Sequence, residues 1–395
     1  MRRIRSQIAF FVAVRTASNT AYRMVYPFLP VLARALGVDL ATMSLALSAR
    51  SASGALGPLL APLTDRRGRR FGMSLGLGLF ASGAFLAFAG PGFAAFAGAL
   101  VLMTVGKYVI DPAVLAHLSD IVPYERRGGA LALTELSWSL AFFIGVPAAG
   151  FLVGRFGWRS PFLALACLGL AGLVAVRAVL GRGGPGTDGS SGPSAADERA
   201  SYRGSYLAVV RSPAALAGIA VILAVSMSNE LVNLVFGVWL EDSFGLKLAA
   251  LGAAAAVIGV AEFGGESLVV GTVDRLGKTK ALMIGLAGNS LAVLVLPLAG
   301  RTTAAALAGL AFFYLTFEYT VVSMLPVMSE ILPGARATLL AFYAASFSLG
   351  RAIGSLLSPR LYGLGFPAVA LTAAGLNAIA FIFLLRLRRL TAERR

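Results

Sequence analysis

Two acidic residues, Glu262 and Glu266, lie four positions apart in an otherwise apolar stretch of the chain. On a helix this spacing places both carboxylates on one face, where they repel each other when both are ionised. A proton bound at one of them removes the repulsion, so the spacing predicts a proton-binding site. Interhelical pairing with Arg351 is the competing interpretation.

Charged residues also interrupt other apolar stretches. The basic ones are Arg15, Arg23, Arg50, Lys107 and Arg351, and the acidic ones are Asp111, Glu135, Glu230, Glu262, Glu266 and Glu318. Each would cost on the order of 2.5 to 3.5 kcal/mol at the centre of a lipid-facing helix. We therefore expect them to face one another or water.

Helical spacing groups several of these charges with other polar side chains. Arg15, Asn19 and Arg23 follow one another at intervals of four, and Tyr26 continues the same face. Three further pairs share a face: Lys107 with Asp111, Glu230 with Asn233, and Tyr314 with Glu318. We interpret these residues as the lining of a substrate site. For Lys107 and Asp111, mutual neutralisation is the alternative.

The two halves of the chain differ in the sign of these embedded charges. The first half holds most of the basic residues and the second half most of the acidic ones. A cationic wall opposite an acidic one suits an amphipathic or zwitterionic solute. Alternatively, Arg15, Arg23 and Lys107 hold an anion while Glu262, Glu266 and Glu318 carry protons.

The elements that must position these residues are membrane-spanning helices. Of the 395 residues, 58% are hydrophobic, which is more than a soluble chain of this length could bury. Apolar runs of about 20 residues match the helix length that a bilayer requires. Twelve such runs start near Ile8, Ala41, Phe71, Phe93, Gly129, Arg159, Pro213, Lys247, Thr279, Thr302, Arg336 and Phe366. The sequence predicts an all-α membrane protein of twelve transmembrane helices.

The distribution of positive charge predicts the orientation in the bilayer. Most of the 34 lysines and arginines fall in segments that lie on the same side as both termini. By the positive-inside rule both termini are cytoplasmic, which predicts a multi-pass protein of the plasma membrane. The net charge of +16 therefore reflects topology, and we expect no nucleic-acid partner.

The opening "MRRIRSQIAFFVAV" resembles a signal peptide, but Arg15, Asn19 and Arg23 interrupt its apolar region, so we interpret it as a retained first span.

The chain lacks residues that several kinds of catalytic or metal-binding site require. Cys167 is the single cysteine and His117 the single histidine, so a disulfide and a cysteine-based metal site are excluded within the chain, and we expect no Ser-His-Asp triad. There is no nucleotide-binding P-loop either. We expect no enzyme activity, no metal and no cofactor.

An internal repeat divides the chain. A stretch rich in Gly, Ser and Pro, residues 181–212, predicts a flexible cytoplasmic linker between six-helix halves at 1–180 and 213–395. Three motifs recur about 210 residues later: "TDRRGRR" at Asp65 as "VDRLGKT" at Asp274, "SDIVPYER" as "SEILPGAR", and "SN" at Ser18 as "SN" at Ser228. The two halves are therefore pseudo-symmetric, the arrangement that transporters use for alternating access.

These motifs resemble those of the major facilitator superfamily. Its signature loop, G-x-x-x-D-R-x-G-R-R, reads here from Ala61 to Arg70, with Ala61 in place of the first Gly. "GVPAAG", from Gly145 to Gly150, is similar to the Gly-Pro motif of the proton-antiporter branches, with Val146 in place of a Gly. The arginine usual in span four is missing: Leu102 holds its place and Lys107 is the nearest cation.

The resemblance implies a fold, a pathway and a gate. Spans one, four, seven and ten would line a central pathway in a major facilitator fold. Asp65, Arg69 and Asp120 would form a cytoplasmic gate, for which topology-setting charge is the alternative interpretation.

The resemblance also implies a function. We expect a monomeric, proton-coupled exporter of a small organic or amphipathic solute, with Glu262, Glu266 and Glu318 as the proton-coupling residues. Its partners would be that solute, protons and the lipid bilayer. Proton-symport uptake and lipid flipping are the alternatives with the same fold, and a membrane sensor is the alternative of another class.

Overall fold

The computed structural model describes residues 2–57, 68–122, 133–179 and 204–392, and their regular structure is helical. The first half contains α1 (Arg2–Arg23), α2 (Leu29–Leu36), α3 (Leu40–Gly54), α4 (Arg69–Ala89), α5 (Gly92–Ile121), α6 (Leu133–Phe156) and α7 (Ser160–Val179). The second contains α8 (Pro213–Phe244), α9 (Leu248–Leu276), α10 (Lys278–Ala299), α11 (Thr303–Ile331), α12 (Arg336–Gly363) and α13 (Phe366–Ala392).

Nine helices in the described part of the chain, α4 to α6 and α8 to α13, are long and apolar enough to cross a bilayer once each. The other three predicted spans are less regular. The first is α1, which Arg15 and Arg23 interrupt, followed after a turn at residues 24–28 by α2. The second begins with α3, which meets α2 at 110°. The third is α7, whose apolar part, Ser160–Val176, is short. The chain is thus an all-helical, multi-pass membrane protein.

Local sequence signals explain several helix starts. The Asp39 carboxylate accepts a hydrogen bond from the Thr42 backbone N–H at 2.8 Å and caps α3. Bonds donated by Thr42 stabilise the ionised form and so lower the pKa of this exposed carboxyl. Ser212 and Thr302 cap α8 and α11 in the same way, each bonding the backbone N–H three residues later.

The repeated Asp-Arg-x-Gly motif ends in the same backbone conformation in both halves. Gly68 precedes α4 with a φ of 86°, and Gly277 precedes α10 with a φ of 82°. Residues with a Cβ rarely adopt this region, which explains why the motif requires glycine at this position. The internal repeat is therefore present in the structure as well as in the sequence.

Part of the predicted linker is ordered. Its residues 181–203 lie outside the described part of the chain, whereas residues 204–211 are helical. In this helical segment Val209 is fully buried, and the Tyr206 ring lies 5.0 Å from the Phe342 ring. The packing of the second half thus begins before Pro213.

The two halves meet along α3 with α12 and along α6 with α9. We call the side on which α1 begins and α13 ends the terminal side. The contacts between the halves continue to the opposite side, where Arg34 and Glu241 form an ion pair at 2.6 Å. Close by, a Cβ on Gly237 would lie 2.7 Å from the Tyr26 carbonyl oxygen. The opposite side of the protein is therefore closed in this structure.

Candidate functional site

Three clusters contain all the charges that the sequence predicts to be embedded, although the Glu135 side chain is 57% exposed. The neutral cluster is Arg15, Lys107, Asp111 and Glu135. The acidic cluster is Arg23, Glu262, Glu266 and Glu318. The clamp is Arg50, Glu230 and Arg351 together with Tyr26. Each contains ion pairs or hydrogen bonds between helices that are distant in sequence.

The neutral cluster lies within the first half. Arg15 Nε donates to Asp111 at 3.1 Å, and Arg15 Nη1 donates to Glu135 at 2.8 Å. Lys107 also pairs with Asp111, as its spacing predicts, but Arg15 shares that carboxylate. Two cations thus balance two acids, and Arg15 and Lys107 have no charge left over for an anionic solute.

The acidic cluster joins the two halves. Arg23 Nη2 donates to Glu262 Oε1 at 2.5 Å, and both side chains are at most 4% exposed. Glu318 accepts a hydrogen bond from the Trp138 indole N–H, at 3.3 Å, and Glu266 accepts one from the Ser139 hydroxyl, at 3.4 Å. The cluster therefore has three carboxylates and one guanidinium.

Arg23 is held in place by α6. Its guanidinium lies 4.3 Å from the centre of the Trp138 ring and 3.5 Å from that of Phe142, and Nη1 donates to the Trp138 carbonyl at 3.0 Å. Both aromatic residues flank the start of a π-helical turn, Ala141–Gly145. Such turns recur at functional sites because they rotate the preceding residues. Sequence reasoning missed Trp138, although an indole N–H in mid-span needs a partner.

In the clamp, several side chains donate hydrogen bonds to Glu230, which is fully buried. Its carboxylate accepts from Tyr26 Oη at 3.0 Å, Arg351 Nε at 3.0 Å, Ser355 Oγ at 2.8 Å and Asn233 Nδ2 at 3.1 Å. Tyr314 in turn donates to Asn233 at 2.7 Å. Four predicted substrate residues, Tyr26, Glu230, Asn233 and Tyr314, therefore bond one another in this state.

The pairing of Arg351 differs from the expectation. The competing interpretation of Glu262 and Glu266 is pairing with Arg351, but the structure pairs Arg351 with Glu230. Glu262 instead receives Arg23 from the other half. The local expectation was wrong because it considered only cations of the second half.

A small cavity separates the acidic cluster from the clamp. It measures about 10 Å³ to the centre of a water-sized sphere, and its lining includes Arg23, Tyr26, Trp138, Asn229, Glu262, Tyr314, Glu318 and Arg351. Glu262 Oε2 and Asn229 Nδ2 are buried there, and neither has a hydrogen-bond partner among the residues that the structure describes. The space suits about one water molecule, which such orphaned polar atoms would bind. A larger solute requires the halves to separate.

The predicted gate is described in part. Asp65 lies outside the described residues. Arg69 and Asp120 form an ion pair at 3.5 Å, between α4 and α5 of the first half. Lys278 and Glu330 form the corresponding pair in the second half. Each pair thus lies within one half.

Comparisons with known proteins agree on one family. The model of the Major Facilitator Superfamily matches residues 11–329. YwfA, an MFS-type transporter of Bacillus subtilis, is 29% identical over 375 residues, covering 93% of this chain and 88% of its own. YceJ of the same organism is 26% identical over 95% of this chain and 94% of its own.

The fold also matches a solved structure. A bacterial homologue of the human lysosomal transporter Spinster, in an inward-facing and unoccupied conformation, superposes with a TM-score of 0.76. The match covers 100% of this chain and 98% of that one at 14% identity, which is a likeness of fold.

Proposed function

Because this chain belongs to the Major Facilitator Superfamily, whose members are transporters of the alternating-access type, we propose that it exchanges a small amphipathic organic cation for protons. The exchange takes place at the acidic cluster. We further propose that the protein is a monomer of the plasma membrane with both termini in the cytoplasm. In this proposal the protein is a carrier that exports its solute.

The surplus of carboxylates in the acidic cluster supports this proposal most directly. If all three acids are ionised, Arg23 pairs with Glu262, and the other two carboxylates have no ion pair among the described residues of this largely buried site. Ionised groups are costly to bury without a counter-charge. Protons or a cationic solute can supply that charge, so both ligands stabilise the same cluster.

Competition for the same carboxylates favours exchange over symport. A solute cation and a proton that neutralise Glu318 or Glu262 exclude each other, because each removes the charge that attracts the other. Symport instead requires both ligands to be bound in one state. Where protons enter from outside down their gradient, competition of this kind moves the solute out.

The lining of the site supports an amphipathic cation. Aromatic rings of Trp138, Tyr314 and Phe317 lie beside the acidic carboxylates, and such rings attract organic cations. The competing expectation of an anion depends on Arg15, Arg23 and Lys107. Asp111 and Glu135 balance the charges of Arg15 and Lys107, and Glu262 pairs with Arg23. An apolar body with one positive charge fits the remaining surface.

The terminal side provides the route for release of protons. Glu266 is half-buried and lies one helical turn closer to that side than Glu262, which is buried. Asp65, Arg69 and Asp120 remain our proposed gate at the same side.

Proteoliposomes test the proposal with radiolabelled N-methyl-4-phenylpyridinium, an aromatic cation whose charge does not vary with pH. We expect vesicles that are acidic inside to accumulate it, and Glu318→Gln to abolish this accumulation while preserving exchange of labelled for unlabelled cation. Asp242→Asn is the matched control, because Asp242 bonds Tyr362 away from the cluster. Accumulation independent of the pH gradient, or normal accumulation by Glu318→Gln, would overturn the proposal.

A further inference from the structure

Arg50 is a charged residue to which neither the sequence nor the exchange mechanism gives a role. It lies in α3 and is 1% exposed. Within the described part of the chain it forms no direct ion pair with an acid, and its Nε has no hydrogen-bond partner. A buried guanidinium of this kind is costly unless other groups compensate its charge.

Two tyrosines of the first span compensate it instead. Arg50 Nη1 donates to the Tyr22 carbonyl at 2.8 Å, and Nη2 donates to Tyr26 Oη at 2.7 Å. The guanidinium also lies over both rings, 4.0 Å from the centre of Tyr22 and 5.0 Å from that of Tyr26. Arg50 therefore fixes the position of the Tyr26 hydroxyl.

That hydroxyl is one of the points where the two halves bond. It accepts from Arg50 and, at 3.2 Å, from Arg351 Nη2, and it donates to Glu230 at 3.0 Å. A phenol has one proton and two lone pairs, so its capacity is fully used. With both lone pairs occupied by arginines, its proton must point at Glu230. Arg50 thus sets the direction of the bond between the halves.

We propose that Arg50 is a positioning residue of the conformational cycle, which acts through the Tyr26 hydroxyl to hold the two halves together while the opposite side is closed. This role involves no proton and no solute, and so it goes beyond the exchange function. Opening of the opposite side requires Tyr26 to leave Glu230 and Arg351, and Arg50 determines how readily it does so.

Cross-linking on the opposite side measures this closure without any transport. Arg34 and Glu241 form an ion pair between the halves there. In a Cys167→Ser background, the pair Arg34→Cys and Glu241→Cys should react quickly with a short bifunctional thiol reagent. Adding Arg50→Gln or Tyr26→Phe should slow the cross-link by at least fivefold. The two substitutions together should slow it no more than Tyr26→Phe alone, because Arg50 acts through the hydroxyl that Tyr26→Phe removes.

The matched control is Ser228→Ala, which removes a buried hydrogen bond of 2.9 Å to the Ala373 carbonyl within the second half. It should leave the cross-linking rate unchanged. Tyr26→Phe keeps the aromatic ring and tests the idea even if Arg50→Gln does not fold. Unchanged cross-linking in Tyr26→Phe overturns the proposal, as does an Arg50→Gln variant that is less heat-stable but cross-links at the normal rate. Failure of proton-driven exchange would leave this result unaffected.

Discussion

Arg23 and Glu262 are 239 residues apart in the chain and form a buried ion pair at 2.5 Å. One lies at the end of α1 and the other in the middle of α9, so the bond joins the first half to the second. Alternating access requires these halves to move relative to each other. The bond must therefore break or be exchanged during transport, and neutralisation of Glu262 is a direct way to release it.

Loss of Arg23 should destabilise the protein in a pH-dependent way. Arg23→Met leaves three carboxylates without their cation, which should lower the free energy of unfolding by roughly 3 to 5 kcal/mol at neutral pH. The loss should shrink as pH falls, because bound protons then neutralise the carboxylates. Thermal unfolding in detergent at several pH values measures both effects. Arg34→Met, which breaks an exposed pair, is the control and should cost at most about 1 kcal/mol. An equal loss at every pH would contradict the role of Arg23 as counter-ion.

Glu266 and Glu318 should differ in their effect on transport. Glu266 is half-buried and closer to the terminal side, so in the proposed mechanism it would relay protons without being their final site. Glu266→Gln should slow gradient-driven uptake of N-methyl-4-phenylpyridinium roughly tenfold, as an added barrier of about 1.4 kcal/mol does, while accumulation still depends on the pH gradient. Glu318→Gln should remove that dependence. The opposite pattern would show that the order of the two residues is reversed.

Gly145 should not tolerate a side chain. A Cβ at this position would lie 1.9 Å from Thr20 Oγ1 in α1. Gly145→Ala should therefore destabilise the protein by about 1 to 3 kcal/mol, the usual cost of overpacking. Thr20→Ala should restore part of the loss, since its remaining Cβ would still be 2.9 Å away. Gly78→Ala, with open space around it, is the control. Equal heat stability of Gly145→Ala and Gly78→Ala would show that α1 and α6 are less closely packed at Gly145 than the structure has them.

The repeated glycine of the loop motif gives a further test. Gly277 has a φ of 82°, so Gly277→Ala should cost roughly 1 to 3 kcal/mol in thermal unfolding. Gly271→Ala, six residues earlier in α9 and facing open space, should instead stabilise the protein by about 0.5 to 1 kcal/mol. If both variants shift the unfolding temperature in the same direction, backbone conformation is not what selects glycine in the motif.

Apolar runs of bilayer length predict the helical class, and motifs that recur about 210 residues apart predict the two halves. The expectation that the embedded charges face one another follows because a bilayer penalises exposed charge. The sequence could also predict Lys107 with Asp111, since the pair is local to one helix turn. It could not predict Arg23 with Glu262, because partners on different helices depend on how each helix is rotated and tilted. The competing interpretation that pairs Arg351 with Glu262 and Glu266 fails for the same reason.

The polar stripe on α1 also shows how far contacts can be predicted from the sequence. Spacing placed Arg15, Asn19, Arg23 and Tyr26 on one face, but the chain leaves the helix after Arg23 and turns. Arg15 and Asn19 consequently bond within the first half, whereas Arg23 and Tyr26 bond to the second. A single periodic pattern thus contributes to two different clusters.

The position of Trp138 makes the site visible to spectroscopy. The chain has three tryptophans, and the other two lie beside aromatic rings elsewhere, Trp158 by Phe162 and Trp239 by Phe366. With these two replaced by phenylalanine, all indole fluorescence would come from a ring under Arg23 whose N–H bonds to Glu318. Indole emission shifts in colour with the local electric field, so protonation of Glu318 or departure of Arg23 would change it. The protein thus has a built-in optical reporter of the charge state of its own centre.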